Sequence, residues 1–131
     1  MSALILVVDD EADIEPLFKQ QFRRDLKAGR FQMAFAASGP DALSFIEGAQ
    51  DVRIILLLSD INMPGMSGLD LLATVKSARP DLPVLMISAY SDMDTRSRAA
   101  AAGAVGLVSK PIDFEHLRRE VDALLPHSGD A

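Results

Sequence analysis

The sequence predicts an α/β domain with a doubly wound, parallel five-stranded sheet and helices on both faces. Three observations carry this. Short apolar runs alternate with stretches whose apolar residues recur at helical spacing, five of each. Three of the runs, at 3–9, 54–60 and 84–88, are apolar on both faces, as strands inside a parallel sheet must be. Strand–helix alternation requires right-handed crossovers, which distribute the helices over both faces. The runs at 31–37 and 105–109 are less apolar and therefore peripheral, so the expected strand order is 2-1-3-4-5. That is the flavodoxin-like (βα)5 arrangement.

The elements follow in chain order. Ala3–Asp9 (ALILVVD) is the first strand. Asp13 is positioned to cap a helix running to about Ala28, with Ile14, Leu17, Phe18, Phe22 and Leu26 on one face. Pro16 fits only the first turn of that helix, and Gly29 supplies its stop. Phe31–Ala37 (FQMAFAA) alternates large with small or polar side chains, as an edge strand does. Ser38-Gly39-Pro40 opens a second helix, with Leu43, Ile46 and Ala49 inward. Ile54–Asp60 is the third strand, and Gly68–Ala78 the third helix, with Leu69, Leu72 and Val75 inward. Val84–Ser88 is the fourth strand and Ser91–Ala102 the fourth helix, whose alanine run at 99–102 allows close packing. Val105–Ser109 is the fifth strand. Asp113 caps a fifth helix that presents Phe114, Leu117, Val121 and Leu124 and ends at Pro126, leaving 127–131 as a polar tail.

Composition narrows the function. A chain of 131 residues suits one domain with a real core. Its net charge of −6, without a basic stripe, argues against direct nucleic-acid binding and against docking on anionic lipid. The absence of Cys excludes disulfides, thiolate metal sites and thiol catalysis. The first apolar run is too short and lacks the basic flank of a secretory segment, and no run approaches membrane-spanning length. A cytoplasmic protein is expected.

The centre of the chain is the apolar run ending at Asp60, followed by a breaker-rich loop with Pro64, Gly65 and Gly68. Parallel sheets bind ligands beyond the carboxyl ends of their strands. In the order 2-1-3-4-5, Asp9-Asp10, Asp60, Ser88 and Ser109-Lys110-Pro111 all end neighbouring strands on one edge. Three crowded carboxylates repel one another unless compensated, and a hard divalent cation compensates them. Mg²⁺ takes oxygen ligands, and the loop after Asp60 places Asn62 to add a backbone carbonyl. Lys110 supplies an ammonium able to grip a phosphoryl oxygen, and Ser88 a small hydroxyl donor. A nucleophilic carboxylate with these neighbours suits phosphoryl transfer, with an aspartyl phosphate as product. Zinc is a poor fit, since there is no Cys and His116 and His127 lie in or after the last helix.

At this point the chain resembles the receiver domain of bacterial two-component response regulators. The resemblance spans Leu4 to Leu125, within a domain taken as 1–126. It rests on Val7-Val8-Asp9-Asp10-Glu11, on Asp60 with Met63-Pro64 and Gly68, on Ser88-Ala89, on Ala102-Gly103-Ala104 and on Lys110-Pro111. It implies that Asp60 accepts phosphoryl from a phosphohistidine on a sensor histidine kinase or a histidine phosphotransfer protein. It implies further that Asp10 binds Mg²⁺ directly, Asp9 largely through water and Asn62 through its carbonyl. Ser88 then moves toward the phosphoryl group, Lys110 pairs with it, and the Lys110–Pro111 bond is cis. Phosphorylation would bias the surface of the fourth helix, fifth strand and fifth helix, and a homodimer through that surface is one arrangement open to it. Turnover of a separate substrate is not expected, only the domain's own phosphorylation and hydrolysis.

Leu107 stands where many receivers carry the aromatic that reads out the hydroxyl switch, and Ile112 where an aromatic often follows Lys-Pro. The readout is therefore expected in the loop and helix after Ser88. There Tyr90, the single tyrosine, either gates water or covers the loop. The alternative is a degenerate receiver that binds partners without phosphorylation. A flavin carrier on this fold would need a Ser/Thr/Gly-rich phosphate loop where the chain has Asp9-Asp10-Glu11. An aspartate-nucleophile phosphatase would need a second Asp two residues after the first. No DNA-binding or catalytic output follows Leu125, so either a stand-alone receiver or a piece of a longer protein is expected.

Overall fold

The computed structural model describes residues 2–49, 52–90 and 92–125. In chain order the elements are β1 (Ser2–Val8), α1 (Ile14–Gln21), α2 (Arg23–Lys27), β2 (Gln32–Ala36), α3 (Gly39–Gly48), β3 (Val52–Asp60), α4 (Gly68–Ala78), β4 (Val84–Ser88), α5 (Met93–Ala101), β5 (Gly106–Ser109) and α6 (Phe114–Leu124). The five strands form one sheet in the order β2-β1-β3-β4-β5. Every pairing is parallel. The predicted doubly wound flavodoxin-like architecture is the one observed.

Alternation along the strands divides the core in two. Leu4, Leu6, Val8, Leu57, Val84 and Met86 meet Ala42, Leu71, Leu72, Val75 and Ala99 of α3, α4 and α5. Ile5, Val7, Leu58 and Ile87 meet Ile14, Phe18, Phe22, Leu117 and Val121 of α1, α6 and the residue between α1 and α2. The second layer is aromatic: Phe18 and Phe114 pack edge-on at 5.4 Å, and Phe18 and Phe22 stack at 6.0 Å.

Helix starts follow local chemistry. The Ser38 hydroxyl accepts the Asp41 N–H and opens α3. Ser67 and Asp70 exchange bonds as a capping box at α4. Asp92 accepts the Thr95 N–H at α5, and Asp113 accepts from Glu115 and His116 at α6.

Several expectations are corrected. The first helix does not run to Ala28: it breaks at Phe22 (φ −104°, ψ 19°), giving six helices among the described residues rather than five. The Gln21 carbonyl at this break accepts from the Arg118 guanidinium of α6. The break turns Phe22 into the aromatic layer and brings Asp25 toward α6. Asp13 sits at the N-cap but is in helical conformation, and its side chain makes no capping bond. Leu17 is 38% exposed rather than inward. Leu69, Leu43, Ile46 and Ala49 do face the core and are partly buried against it, while Leu71 of α4 and Ala42 of α3, not among the expected residues, are fully buried. β5 begins at Gly106, leaving Val105 49% exposed. The predicted start at Ser91, the stop at Pro126, His127 and the tail lie outside the described residues.

Candidate functional site

Three strand ends bring the polar residues together. The ladder continues one residue past each strand: Asp9 N–H donates to the Ala36 carbonyl (3.0 Å), Ile61 N–H to Ile87 (2.9 Å) and Lys110 N–H to Ser88 (2.8 Å). The side chains that matter therefore ride on backbone held by the sheet, not on free loop.

Oxygens of Asp9, Asp10 and Asp60 lie within 4.8 Å of one another. Asp9 and Asp60 are buried, at 8% and 3% exposure, while Asp10 faces solvent. The Lys110 ammonium sits among them, 3.2 Å from Asp60 Oδ2 and 3.3 Å from Asp9 Oδ2. It also lies 3.5 Å from Glu11 Oε1. The Lys110–Pro111 peptide is cis, as the resemblance implied.

The electrostatics are strained in one direction. Burial pushes the Asp60 carboxyl above the usual carboxylate range; Lys110 pulls it down and Asp9 adds to the rise. For Lys110, burial works against the charged form, but Asp60 and Asp9 outweigh it and the ammonium is held above its ordinary value. One cation thus serves three acids, and the cluster is short of positive charge. The donor set is all oxygen, which suits a hard cation such as Mg²⁺ and not a soft one.

The loop after Asp60 is tightly laid. Asn62 N–H donates to Asp60 Oδ1 at 3.3 Å. Gly68 N–H bonds the Ile61 carbonyl at 2.8 Å. A Cβ at Gly68 would lie 2.1 Å from the Asp60 carbonyl oxygen and 2.7 Å from Ile61 Cα, so only glycine lets α4 start so close to the site. Asn62 itself is exposed.

Ser88 is fully buried at the end of β4, one strand over from Asp60. Its hydroxyl accepts the Tyr90 N–H at 2.9 Å and so is tied to its own loop. The Tyr90 side chain is 65% exposed. Leu107 is half-buried and packs against the α3–α4–α5 side of the core. Asp9, Asp10, Asp60 and Lys110 thus meet at one point, while Ser88 and Asn62 border it and Tyr90 and Leu107 stand outside. Glu11 is in the sequence only a member of the Val7–Glu11 motif; in the fold its carboxylate also reaches Lys110, and its adjacency to Asp9-Asp10 is the signal for that role.

The chain matches the family model described as "Response regulator receiver domain" over residues 5–122. It is 32% identical over 124 residues to the transcriptional regulatory protein ZraR of Salmonella typhimurium, covering 95% of this chain and 26% of that protein. It is also 32% identical to the DNA-binding transcriptional regulator NtrC of Escherichia coli, covering 95% of this chain and 25% of that one. The chain thus spans about a quarter of the length of these curated relatives. Among solved structures it is similar to the response regulator TrrA of Thermotoga maritima in complex with Mg²⁺-BeF. The TM-score is 0.77 at 31% identity, over 95% of this chain and all of that one.

Proposed function

Because the chain belongs to the response regulator receiver-domain family, we propose that it is the phospho-accepting element of a two-component system, with Asp60 as acceptor. The observation that carries this is the meeting of Asp9, Asp10, Asp60 and Lys110 at one strand edge. The donor is a phosphohistidine on a sensor histidine kinase or histidine phosphotransfer protein. An Asp60 oxygen forms the new P–O bond in line as the P–N bond breaks, and the departing imidazole takes a proton. Lys110 already spans Asp9 and Asp60 and pairs with the phosphoryl oxygens as they arrive.

Mg²⁺ would supply charge that offsets the acids and the phosphoryl oxygens; Asp10, Asp60 and the Asn62 carbonyl would hold it directly and Asp9 largely through water. That the similar TrrA was solved in complex with Mg²⁺-BeF supports Mg²⁺ as the metal. Ser88 gives up the Tyr90 N–H as its hydroxyl turns to the phosphoryl group, so the loop before α5 follows. Leu107 takes no part in an aromatic readout. The face of α5, β5 and α6 is the contact surface for partners, a second copy among them. Neither nucleic acid nor membrane is contacted by this domain, and its place is the cytoplasm. It turns over no separate substrate beyond hydrolysis of its own phosphoryl group.

The test is labelling by a small acyl phosphate with Mg²⁺. Wild type takes up phosphoryl, and Asp60→Asn and chelated samples take up none. Labelling that survives Asp60→Asn, or none in wild type, sinks the reading; the second result favours the phosphorylation-independent receiver.

A further inference from the structure

Ser59 interrupts a strand that is otherwise built for burial. Residues 54–58 are all Ile or Leu and all buried, and Ser59 has no exposed surface at all. A buried hydroxyl is unfavourable unless it is hydrogen-bonded. This one donates to the carbonyl oxygen of Asp60 at 3.0 Å.

That carbonyl belongs to the peptide joining Asp60 to Ile61. The N–H of the same peptide donates to Ile87 at 2.9 Å. The peptide plane is therefore held on both sides, by β4 at the nitrogen and by Ser59 at the oxygen. Gly68 backs the same oxygen closely enough that no Cβ fits there. The next amide, Asn62 N–H, bonds Asp60 Oδ1 at 3.3 Å. Rotation of the Asp60–Ile61 peptide would carry the Asn62 amide away from that oxygen and redirect the carboxylate.

We propose that Ser59 is a positioning residue for Asp60: its hydroxyl holds the peptide after Asp60, and so aims the Asp60 carboxylate and the Asn62 backbone at the reacting position. This rests on the reading of Asp60 as acceptor. Ser59 touches no phosphoryl group and acts only through the backbone of its neighbour.

The test compares Ser59→Ala, Ser59→Thr and Ser59→Val. Thr and Val have the same shape and differ in the hydroxyl, so any packing cost is common to both. Three quantities are measured: amide hydrogen exchange at Ile61 and Asn62, Mg²⁺ affinity by calorimetry, and the acyl-phosphate labelling rate at saturating donor. In Ser59→Ala and Ser59→Val the Asn62 amide exchanges faster and Mg²⁺ binds about tenfold more weakly. Labelling also slows by about tenfold. Ser59→Thr stays close to wild type in all three. Thr and Val that behave alike, or an Ala variant with wild-type exchange and affinity, overturn the proposal even if thermal stability changes. Wild type that takes no phosphoryl removes the acceptor reading, and Ser59 is then judged on exchange and affinity alone.

Discussion

Asp60 carries a charge that its surroundings resist. Its carboxyl is 3% exposed, and Lys110, the nearest cation, is shared with Asp9 and Glu11. Its folded pKa lies above the ordinary value of 3.8. Between those two values the folded protein binds more protons than the unfolded chain, so stability attributable to Asp60 falls as pH rises through that interval. Asp60→Asn removes the liability while keeping the shape. In metal-free buffer the variant matches wild type below the carboxylate range. At about pH 7 it unfolds roughly 2–5 °C higher. Thermal scans across pH check this, and a variant less stable than wild type at neutral pH refutes it. Mg²⁺ bound as proposed should act the other way, raising the stability of wild type by about 2.7 kcal/mol at a hundredfold excess over its dissociation constant; urea unfolding with and without Mg²⁺ checks this.

At the scale of elements, the break after α1 matters most. α6 reaches across to it: Arg118 bonds the Gln21 carbonyl and lies 3.0 Å from Asp25 Oδ2, with its guanidinium over the Phe22 ring. Arg30 holds the other Asp25 oxygen and also Asp122 of α6. Asp25 is buried, so stripping a partner from it is costly. Arg118→Ala should lower stability by about 2 kcal/mol, read from urea unfolding. Arg118→Lys should recover only part, because an ammonium cannot fork to both Asp25 and Gln21. A neutral Arg118→Ala would mean that packing alone docks α1 and α2 on α6. Periodicity found Ile14, Phe18 and Phe22 but read them as one continuous helix. The Gln21 carbonyl at the break accepts from a guanidinium 97 residues further along, a contact no local pattern reports.

Across the whole molecule, one route from the site to a distant face runs through Ser88. Ser88 joins the site edge to the loop before α5, and Lys110 N–H is bonded to the Ser88 carbonyl. The face beyond carries exposed Tyr90, Met93 and Val105, and a groove bordered by Arg96, Leu107, Pro111, His116 and Glu120. Adding Mg²⁺ with beryllofluoride should shift backbone amide resonances along 88–109. In Ser88→Ala those shifts should shrink while those at 60–62 persist. Amides along 88–109 that do not respond in wild type would refute a readout through the Ser88–Tyr90 bond. Sedimentation of the same samples tells whether the face joins two copies.

The sequence by itself determined the architecture and the identity of the acids. Two-sided apolar runs at 54–58 and 84–87 suit strands covered on both faces, their alternation with helices selects a parallel sheet, and a sheet of that order brings Asp9, Asp10, Asp60 and Lys110 to one edge. Only the tertiary structure decided how those charges share one ammonium, that Glu11 joins them, that Phe22 ends the first helix and that the Ser59 hydroxyl turns to the Asp60 carbonyl. The reason is range. Burial and periodicity are written in neighbouring residues, whereas a hydrogen bond or an ion pair depends on atoms the fold brings together from distant parts of the chain.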